Sequence, residues 1–350
     1  MDSTEWSRGL TADVLEEQYG FTVVSVQITK LSRKRASRHV VTDEGRRLFV
    51  KEYHSTTGRD AARVALDTSQ HCRAAGLPVP LVQPDKDNCL MTVARGSAWS
   101  VTDEAPGRVS TSAMTRPLAE HTGTVLGRMH RVLTAYPPPE HVQPSPWRTE
   151  PTENAHAQCA TVLSNAARHQ WTHDGQLHAD LDQRRDDLDR HVLRLRQQLP
   201  NALVEQALHA DAGRTSQLVL ADQVTGIIGF RGARGTTAWE LARVAFDPRT
   251  VSTSPDWITC ALTLLDAYHL ANPALPLPDL QACARIALLD LLFDFEGAPT
   301  AAYNQCELEQ AIQQREWSER QTTIRRLLEH LDDLDDALDE FGFGAETGGP

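Results

Sequence analysis

The residues with chemistry to offer gather between positions 203 and 242, in the run LVEQALHADAGRTSQLVLADQVTGIIGFRGARGTTAWELA. A polar loop opens there at His209-Ala210-Asp211, and a hairpin follows. Two short apolar runs, Leu218-Val219-Leu220 and Ile227-Ile228, flank the polar residues Ala221-Asp222-Gln223 and Thr225-Gly226, the pattern of paired strands around a turn. A carboxylate just ahead of such a hairpin is held on stiff backbone while its head faces a cleft. Asp211 is therefore a candidate site carboxylate, and the alternative is a structural one that holds the loop through backbone N–H groups. A second cluster is basic: Arg33, Lys34, Arg35 and Arg38 put four cations into six residues. Such a tip can grip a phosphate, a polyanion or an acidic leader peptide through charge-assisted hydrogen bonds, or it can simply be a solvated turn.

These residues need elements to position them. Leu and Val at helical spacing predict a leading helix over 11–19, with Thr11 as its N-cap. Alternation of apolar and polar residues then predicts three antiparallel strands over 21–29, 38–41 and 48–53, the last carrying Lys51. A helix follows over 59–75, then an apolar strand over 89–93 and a long amphipathic helix over 116–133 with Pro117 in its first turn. Residues 136–152 are too rich in proline to be helical, whereas 154–199 are polar and helical. Two strongly apolar helices are expected at 256–270 and 280–295, and a terminal helix at 307–341. Leu327, Leu328, Leu331, Leu334 and Leu338 form a stripe on that last helix that could pack inward or dock on a partner.

Bulk properties bound the function. A chain of 350 residues can hold two lobes, each with its own core. Its 35 Lys and Arg against 47 Asp and Glu give a formal net charge of −12, which argues against nonspecific nucleic-acid binding. The six cysteines, scattered without a C-x-x-C pair, suggest neither a zinc ribbon nor a disulfide framework, and most are expected to be small buried hydrophobes. No secretory signal pattern and no long apolar span is present, so the expectation is a cytoplasmic protein without a membrane partner.

The order of phrases L-F-V-K, G-L-P-V-P, L-G-R-M-H, H-A-D, I-I-G-F and W-E-L-A resembles that of aminoglycoside phosphotransferases, choline kinases and their relatives. The resemblance covers about residues 23–295. It implies an α+β, bilobal protein-kinase-like fold, with a small antiparallel-sheet N-lobe and a larger, mainly helical C-lobe. The boundaries expected are 1–97 for the N-lobe, 98–300 for the C-lobe with the catalytic-like loop, 301–343 for a C-terminal helix and 344–350 for a disordered tail. By the same resemblance Asp211 orients or deprotonates an acceptor hydroxyl, and Lys51 bridges the phosphates of ATP. Asp67 is the nearest acid to pair with Lys51, and Thr92 and Val93 fall at the adenine hinge. His130 resembles a packing residue of the family's L-x-x-L-H helix.

The chain departs from the family where the metal is held. Ser216 stands where Asn is expected, and Gly229 stands where the metal-binding Asp is expected. ATP is the cofactor implied, with Ser216 on its side of the pocket, but the lost ligands argue against Mg²⁺. Arg231 and Arg234, just beyond Gly229, are candidates to supply positive charge in its place, and Glu240 of W-E-L-A is not an obvious substitute ligand.

Two readings follow. One is a divergent phosphotransferase acting on a hydroxyl of a small molecule or peptide. The other is a pseudokinase-like binding subunit that recognises a substrate or a partner enzyme subunit without transferring phosphate. The family's occurrence in natural-product pathways, ribosomal peptide maturation included, suits either. A third, weaker reading is a lipid or polyanion binder acting through the basic tip.

Overall fold

The computed structural model describes residues 3–31, 35–168, 174–298 and 307–340. Helix α1 (Ser3–Val14) widens into a π-helical turn, Leu15–Tyr19, and leads to strands β1 (Val23–Leu31), β2 (Arg35–Thr42) and β3 (Arg47–Tyr53). Helix α2 (Thr56–Ala74) and strands β4 (Val82–Gln83), β5 (Thr92–Ala94), β6 (Ser97–Asp103) and β7 (Arg108–Val109) follow. Next come α3 (Arg116–Leu133), α4 (Pro146–Thr149), α5 (Thr152–Arg168), α6 (Asp174–Gln197) and β8 (Glu205–Leu208). A short 3-10 turn, Arg214–Ser216, precedes β9 (Gln217–Leu220), β10 (Gln223–Ile227) and β11 (Ala233–Thr236). The remainder is helical: α7 (Thr237–Ala245), α8 (Pro248–Thr253), α9 (Trp257–Ala271), α10 (Leu277–Gln281), α11 (Cys283–Phe293), α12 (Glu307–Glu329) and α13 (Leu331–Glu340).

Two compact units divide the chain. The first comprises Met1–Ser110, Met129–Val142 and Ala207–Arg234; the second comprises Thr111–Arg128, Gln143–Gln206 and Gly235–Pro350. An antiparallel sheet in the order β1-β2-β3-β6-β4, with β5 on β6, forms the body of the first unit. The boundary expected at residue 97 falls at the start of β6, and pairing of Tyr53 through Leu48 with Ala98 through Asp103 keeps that strand inside the sheet. The loop and hairpin expected in a C-lobe also pack with the sheet-bearing unit. Ile227 N donates to Pro78 O at 2.7 Å, and Gly232 lies against Val64 and Thr68 of α2.

Strand parity sorts the sheet's residues between two faces. Val40, Leu48, Val50, Trp99 and Val101 pack with Val14 and Leu15 in one cluster. The same face buries an ion pair between Arg38 and Glu52 at 2.6 Å, with Arg38 also donating to Ser7 Oγ at 2.8 Å and lying over the Trp99 ring. The alternate residues Phe49, Lys51 and Tyr53 take the opposite face. Thr11, expected as an N-cap, instead lies within α1 and donates to Ser7 O at 2.7 Å, because the helix begins eight residues earlier at Ser3. Helix α2 is capped by Ser55, whose hydroxyl accepts from Gly58 N at 3.2 Å.

The second unit is built of helices. Its expected terminal helix is broken at His330 into α12 and α13. Leu327, Leu331, Leu334 and Leu338 are buried, which corrects the alternative of a partner-docking stripe: the chain's own helices, α9, α10 and α11, cover α13. Asp335 of the acidic run is tied to Arg285 at 2.5 Å. Arg184 of α6 is fully buried between the rings of Phe295 and Trp317, and that loss of solvent pulls its guanidinium down to about 10. Of the described cysteines, Cys72, Cys159, Cys260 and Cys283 are buried and Cys89 is exposed. Arg33, Lys34, Cys306 and the expected tail at 344–350 lie outside the described residues. Among the described residues no helix is long and apolar enough to cross a membrane.

Helices α3 and α9 approach so closely that their contact admits glycine alone. A Cβ at Gly123 would stand 2.2 Å from Leu264 O, and one at Gly127 would stand 2.7 Å from Tyr268 O. Gly123→Ala should therefore destabilise the chain by about 2 kcal/mol or more, read as a lower urea midpoint. Gly9→Ala in α1, where a Cβ meets nothing within 4 Å, should be neutral or stabilising by up to about 1 kcal/mol.

Candidate functional site

The face of the sheet opposite the Trp99 cluster opens onto a cavity of about 1000 Å³ within the first unit. Lys51 lies in its wall, at the centre of β3, paired in register with Ser37 of β2 and Ser100 of β6. Its ammonium lies 5.8 Å from the Phe49 ring centroid, and among the described residues no carboxylate pairs with it. Burial, and then the nearby charge of Arg35, pulls its pKa from 10.5 down to about 8. Arg35 lines the same cavity from β2, opposite Tyr53. Burial pushes the Tyr53 phenol up, while its contact with Ser100 and the charge of Arg35 hold it down.

Three expected positions fall elsewhere. Asp67 is exposed on α2 and does not line the cavity. Helical phase explains this, since Ala62, Ala65, Leu66 and Ser69 form the face turned inward and Asp67 points about 100° past Leu66. Partial burial raises its carboxyl, with Arg63 opposing, so it gains no lysine partner. Thr92 and Val93 form β5 on the far side of β6, Thr92 buried and Val93 exposed, and neither lines the cavity. The segment that does so is 102–109, one strand later. That segment was missed because backbone contacts leave little side-chain signature. Its acids are already engaged: Asp103 with Arg46 at 2.9 Å, and Glu104 with Arg47 at 2.5 Å and His39 at 3.3 Å.

Ser216 and Gly229 come together in the cavity wall, as their motif positions imply. Ile228 N donates to Ser216 O at 2.9 Å, and a Cβ on Gly229 would stand 3.2 Å from Ser216 Oγ. Gly229 has φ +78°, a left-handed conformation that glycine adopts without strain. The donor set here is one hydroxyl and no carboxylate. Among the described residues no group of three or more His, Cys, Asp or Glu side chains could hold a metal ion. Mg²⁺ bound beside a nucleotide takes one or two carboxylates besides phosphate oxygens and water, so these residues do not fit it.

The loop that carries Asp211 is organised by His209. Its Nε2 donates to Ile228 O at 3.0 Å, and its Nδ1 accepts from Asp211 N at 3.1 Å, which together assign the Nε2–H tautomer. Its carbonyl accepts from Arg231 N and Gly232 N at 2.9 and 3.3 Å, and the Phe230 ring lies on the imidazole at 4.1 Å. Ala210, just ahead of Asp211, turns through the left-handed region at φ +66°. The Asp211 carboxylate is then met by Arg231, whose Nε and Nη2 reach Oδ2 at 3.1 and 2.9 Å. Arg231 thus neutralises the loop carboxylate instead of standing in for a metal. Arg234 is exposed on β11, where its backbone N bonds to His141 O. Asp211 does not line the cavity, and Glu240 is buried in α7 of the helical unit. His130 is fully buried on α3.

No curated protein sequence matches this chain. Solved structures do: a spectinomycin phosphotransferase in complex with ADP and spectinomycin superposes with a TM-score of 0.63 at 12% identity, over 92% of this chain and 97% of that one. An aminoglycoside phosphotransferase from Alicyclobacillus acidocaldarius gives 0.57 at 13% identity, over 93% and 95%. An amicoumacin kinase in complex with AMP-PNP, Ca²⁺ and Ami gives 0.56 at 15% identity, over 92% and 96%. At these identities the likeness speaks for the fold, which is protein-kinase-like. The family model described as "Phosphotransferase enzyme family" matches residues 30–284, and with strand lysine, hairpin and loop carboxylate in the expected order, the chain belongs to that family.

Proposed function

We propose that this protein is a pseudokinase-like member of its family: it binds a nucleoside phosphate in the cavity beneath Lys51 and recognises a small molecule or peptide without efficient phosphoryl transfer. The observation that carries the reading is the pairing of Ser216 with Gly229, which leaves the position of the metal carboxylate without a side chain. The buried ammonium of Lys51 supports nucleotide binding, because a desolvated cation without a carboxylate is a strong site for an anion. Two of the solved structures named above, the spectinomycin phosphotransferase and the amicoumacin kinase, were captured with ADP and AMP-PNP respectively. A cytoplasmic role in natural-product biosynthesis, beside a partner modifying enzyme, is the setting we favour for it.

The second reading, a slow phosphotransferase, is favoured by Asp211, which the His209 loop holds in a defined orientation. Its ion pair with Arg231 works against it, since the guanidinium already occupies the Oδ2 that would have to receive the proton. The two readings part at Asp211→Asn. A binding protein should keep its nucleotide affinity within about twofold, by calorimetry, and show no change in residual ATP turnover. A loss of turnover of about a hundredfold or more would establish Asp211 as a general base and overturn the proposal.

Lys51 provides a test with opposite signs for stability and binding. The folded chain holds this proton less tightly than the unfolded chain does, about 8 against 10.5, so below pH 8 the buried ammonium destabilises the free protein. That cost fades as pH rises from 8 to 10.5. Lys51→Met should therefore raise the melting temperature at pH 7, by up to about 3 kcal/mol of stability, with the advantage shrinking towards pH 10. The same variant should lose nucleotide binding. In the wild type, a bound phosphate favours the charged ammonium, so affinity should be flat below pH 8 and fall by up to about tenfold per unit above it. The charged and titratable groups that line the cavity with Lys51 and could modify this profile are Lys30 from β1, Arg35 and His39 from β2, Arg47 and Tyr53 from β3, the ion-paired Asp103 and Glu104, and Arg108 from β7, while α2 offers no charge to the lining.

A further inference from the structure

We propose that the cavity also takes a diphosphate ester of an apolar alcohol, its head at Lys51 and its hydrocarbon body along the wall that α2 builds. This goes beyond the nucleotide reading and needs no nucleotide to be bound. The wall supplies the first observation. Helix α2 turns Ala62, Ala65, Leu66 and Ser69 to the cavity, and the Ser69 hydroxyl is spent on Leu66 O at 2.7 Å. The stretch 79–82 continues the wall with backbone groups already used: Val79 O accepts from Arg73, Pro80 O from Gln70 and Leu81 O from Asp103 N, while Val82 N donates to the Gln70 side chain. Tyr53, two residues along β3 from Lys51, packs on the cluster of Ala62, Leu66 and Val82. A wall whose polar groups are spent in this way gains from contact with hydrocarbon and gains little from a sugar hydroxyl or a base edge.

Charge supplies the second. Lys30, Ser37 and Lys51 stand in one cross-strand row, since Lys30 pairs with Ser37 and Ser37 with Lys51. Lys30, Arg35, Arg47 and Arg108 line the cavity with Lys51, and Asp103 and Glu104 are the acids in the lining. Five cations against two acids give the cavity a positive sign inside a chain whose formal net charge is −12. That sign does not depend on any one cation standing free: Arg47 is paired with Glu104, and Arg35 has an interaction of its own. A field of one sign between low-dielectric walls draws in an anion. Size is the third observation. A volume of about 1000 Å³ stands at the upper end of small-molecule sites, roughly 300–1,000 Å³, so a head group at Lys51 leaves the α2 side for a hydrocarbon chain. From Lys51 to Tyr53 the strand rises roughly 7 Å, within the length of one such ligand.

The test is calorimetric titration of the full chain with pyrophosphate, with dimethylallyl, geranyl and farnesyl diphosphates, with farnesol and with ATP, for the wild type, Lys51→Met and Ala65→Asn. In the wild type, affinity should climb by about threefold or more with each isoprene unit added to the head. Lys51→Met should cost farnesyl diphosphate about tenfold or more, and farnesol, which lacks the head, should bind more weakly than farnesyl diphosphate. Ala65→Asn sets an amide on the apolar wall, and should weaken farnesyl diphosphate by about tenfold while weakening pyrophosphate less. Equal wild-type affinity for pyrophosphate and farnesyl diphosphate would overturn the inference, as would farnesyl diphosphate binding that neither variant weakens, the mark of adsorption. ATP binding with no gain from chain length would overturn it and leave the nucleotide reading standing. Binding that rises with chain length in a protein that does not bind ATP would support it and overturn that reading.

Discussion

The ammonium of Lys51, turned to the cavity side of the sheet, sets the terms for this fold. Removing Lys51 from water without a carboxylate beside it is unfavourable, and burial, with the charge of Arg35 added, lowers its pKa to about 8. The sheet can hold it there because the other face is strongly cohesive. Val50 and Glu52, the neighbours of Lys51 along β3, point into the Val14–Trp99 cluster and the buried Arg38 ion pair. The alternation that puts Val50 in the core leaves Lys51 no direction but the cavity. Stability on one face thus underwrites an unfavourable charge on the other, a common arrangement where a site must attract a charged ligand.

The loop beyond the sheet keeps an ordered framework while presenting charges that differ from those the family resemblance implies. His209 still ties the turn to the hairpin through both ring nitrogens and its carbonyl. The backbone at Gly229 still turns through the left-handed region beside Ser216. What changes is the charge these elements present: a glycine where the family has a carboxylate, and an arginine that reaches back to the one carboxylate left. Phosphoryl transfer depends on positioning and on neutralising the spreading phosphate charge. Here the positioning framework persists, and Lys51 of the sheet lines the same cavity as Ser216 and Gly229.

Much of the first unit was legible because its signals are local. The β-rich run at 48–53 marks β3, and the apolar runs 218–220 and 227–228 around a polar turn mark the hairpin, whereas the role of Lys51 comes from the family resemblance. The failures have a common cause. Asp67 was chosen as the nearest acid in sequence, but the phase of α2 is set by which of its residues pack on the sheet, and that face carries Ala62, Leu66 and Ser69. Thr92 and Val93 were placed at the hinge from an apolar run, yet the strand that continues into the cavity wall is the next one, joined to β5 by a tight hairpin through Arg95 and Gly96 in left-handed conformations. The leucines of the terminal helices looked available to a partner until their neighbours in the helical unit covered them.

The sequence by itself determined which groups the site could contain: a strand lysine, a loop aspartate, a serine, and no metal carboxylate at position 229. Covalent identity fixes that inventory, and no folding event can add to it. Tertiary structure alone decided how those groups are partnered. The pairing of β2 with β3 brings Arg35 alongside Lys51, and the closure of the His209 turn brings Arg231 onto Asp211, twenty residues away in sequence. Which groups meet one another depends on distances of a few ångströms. Those distances are set by strand register and loop closure, which residue spacing does not record.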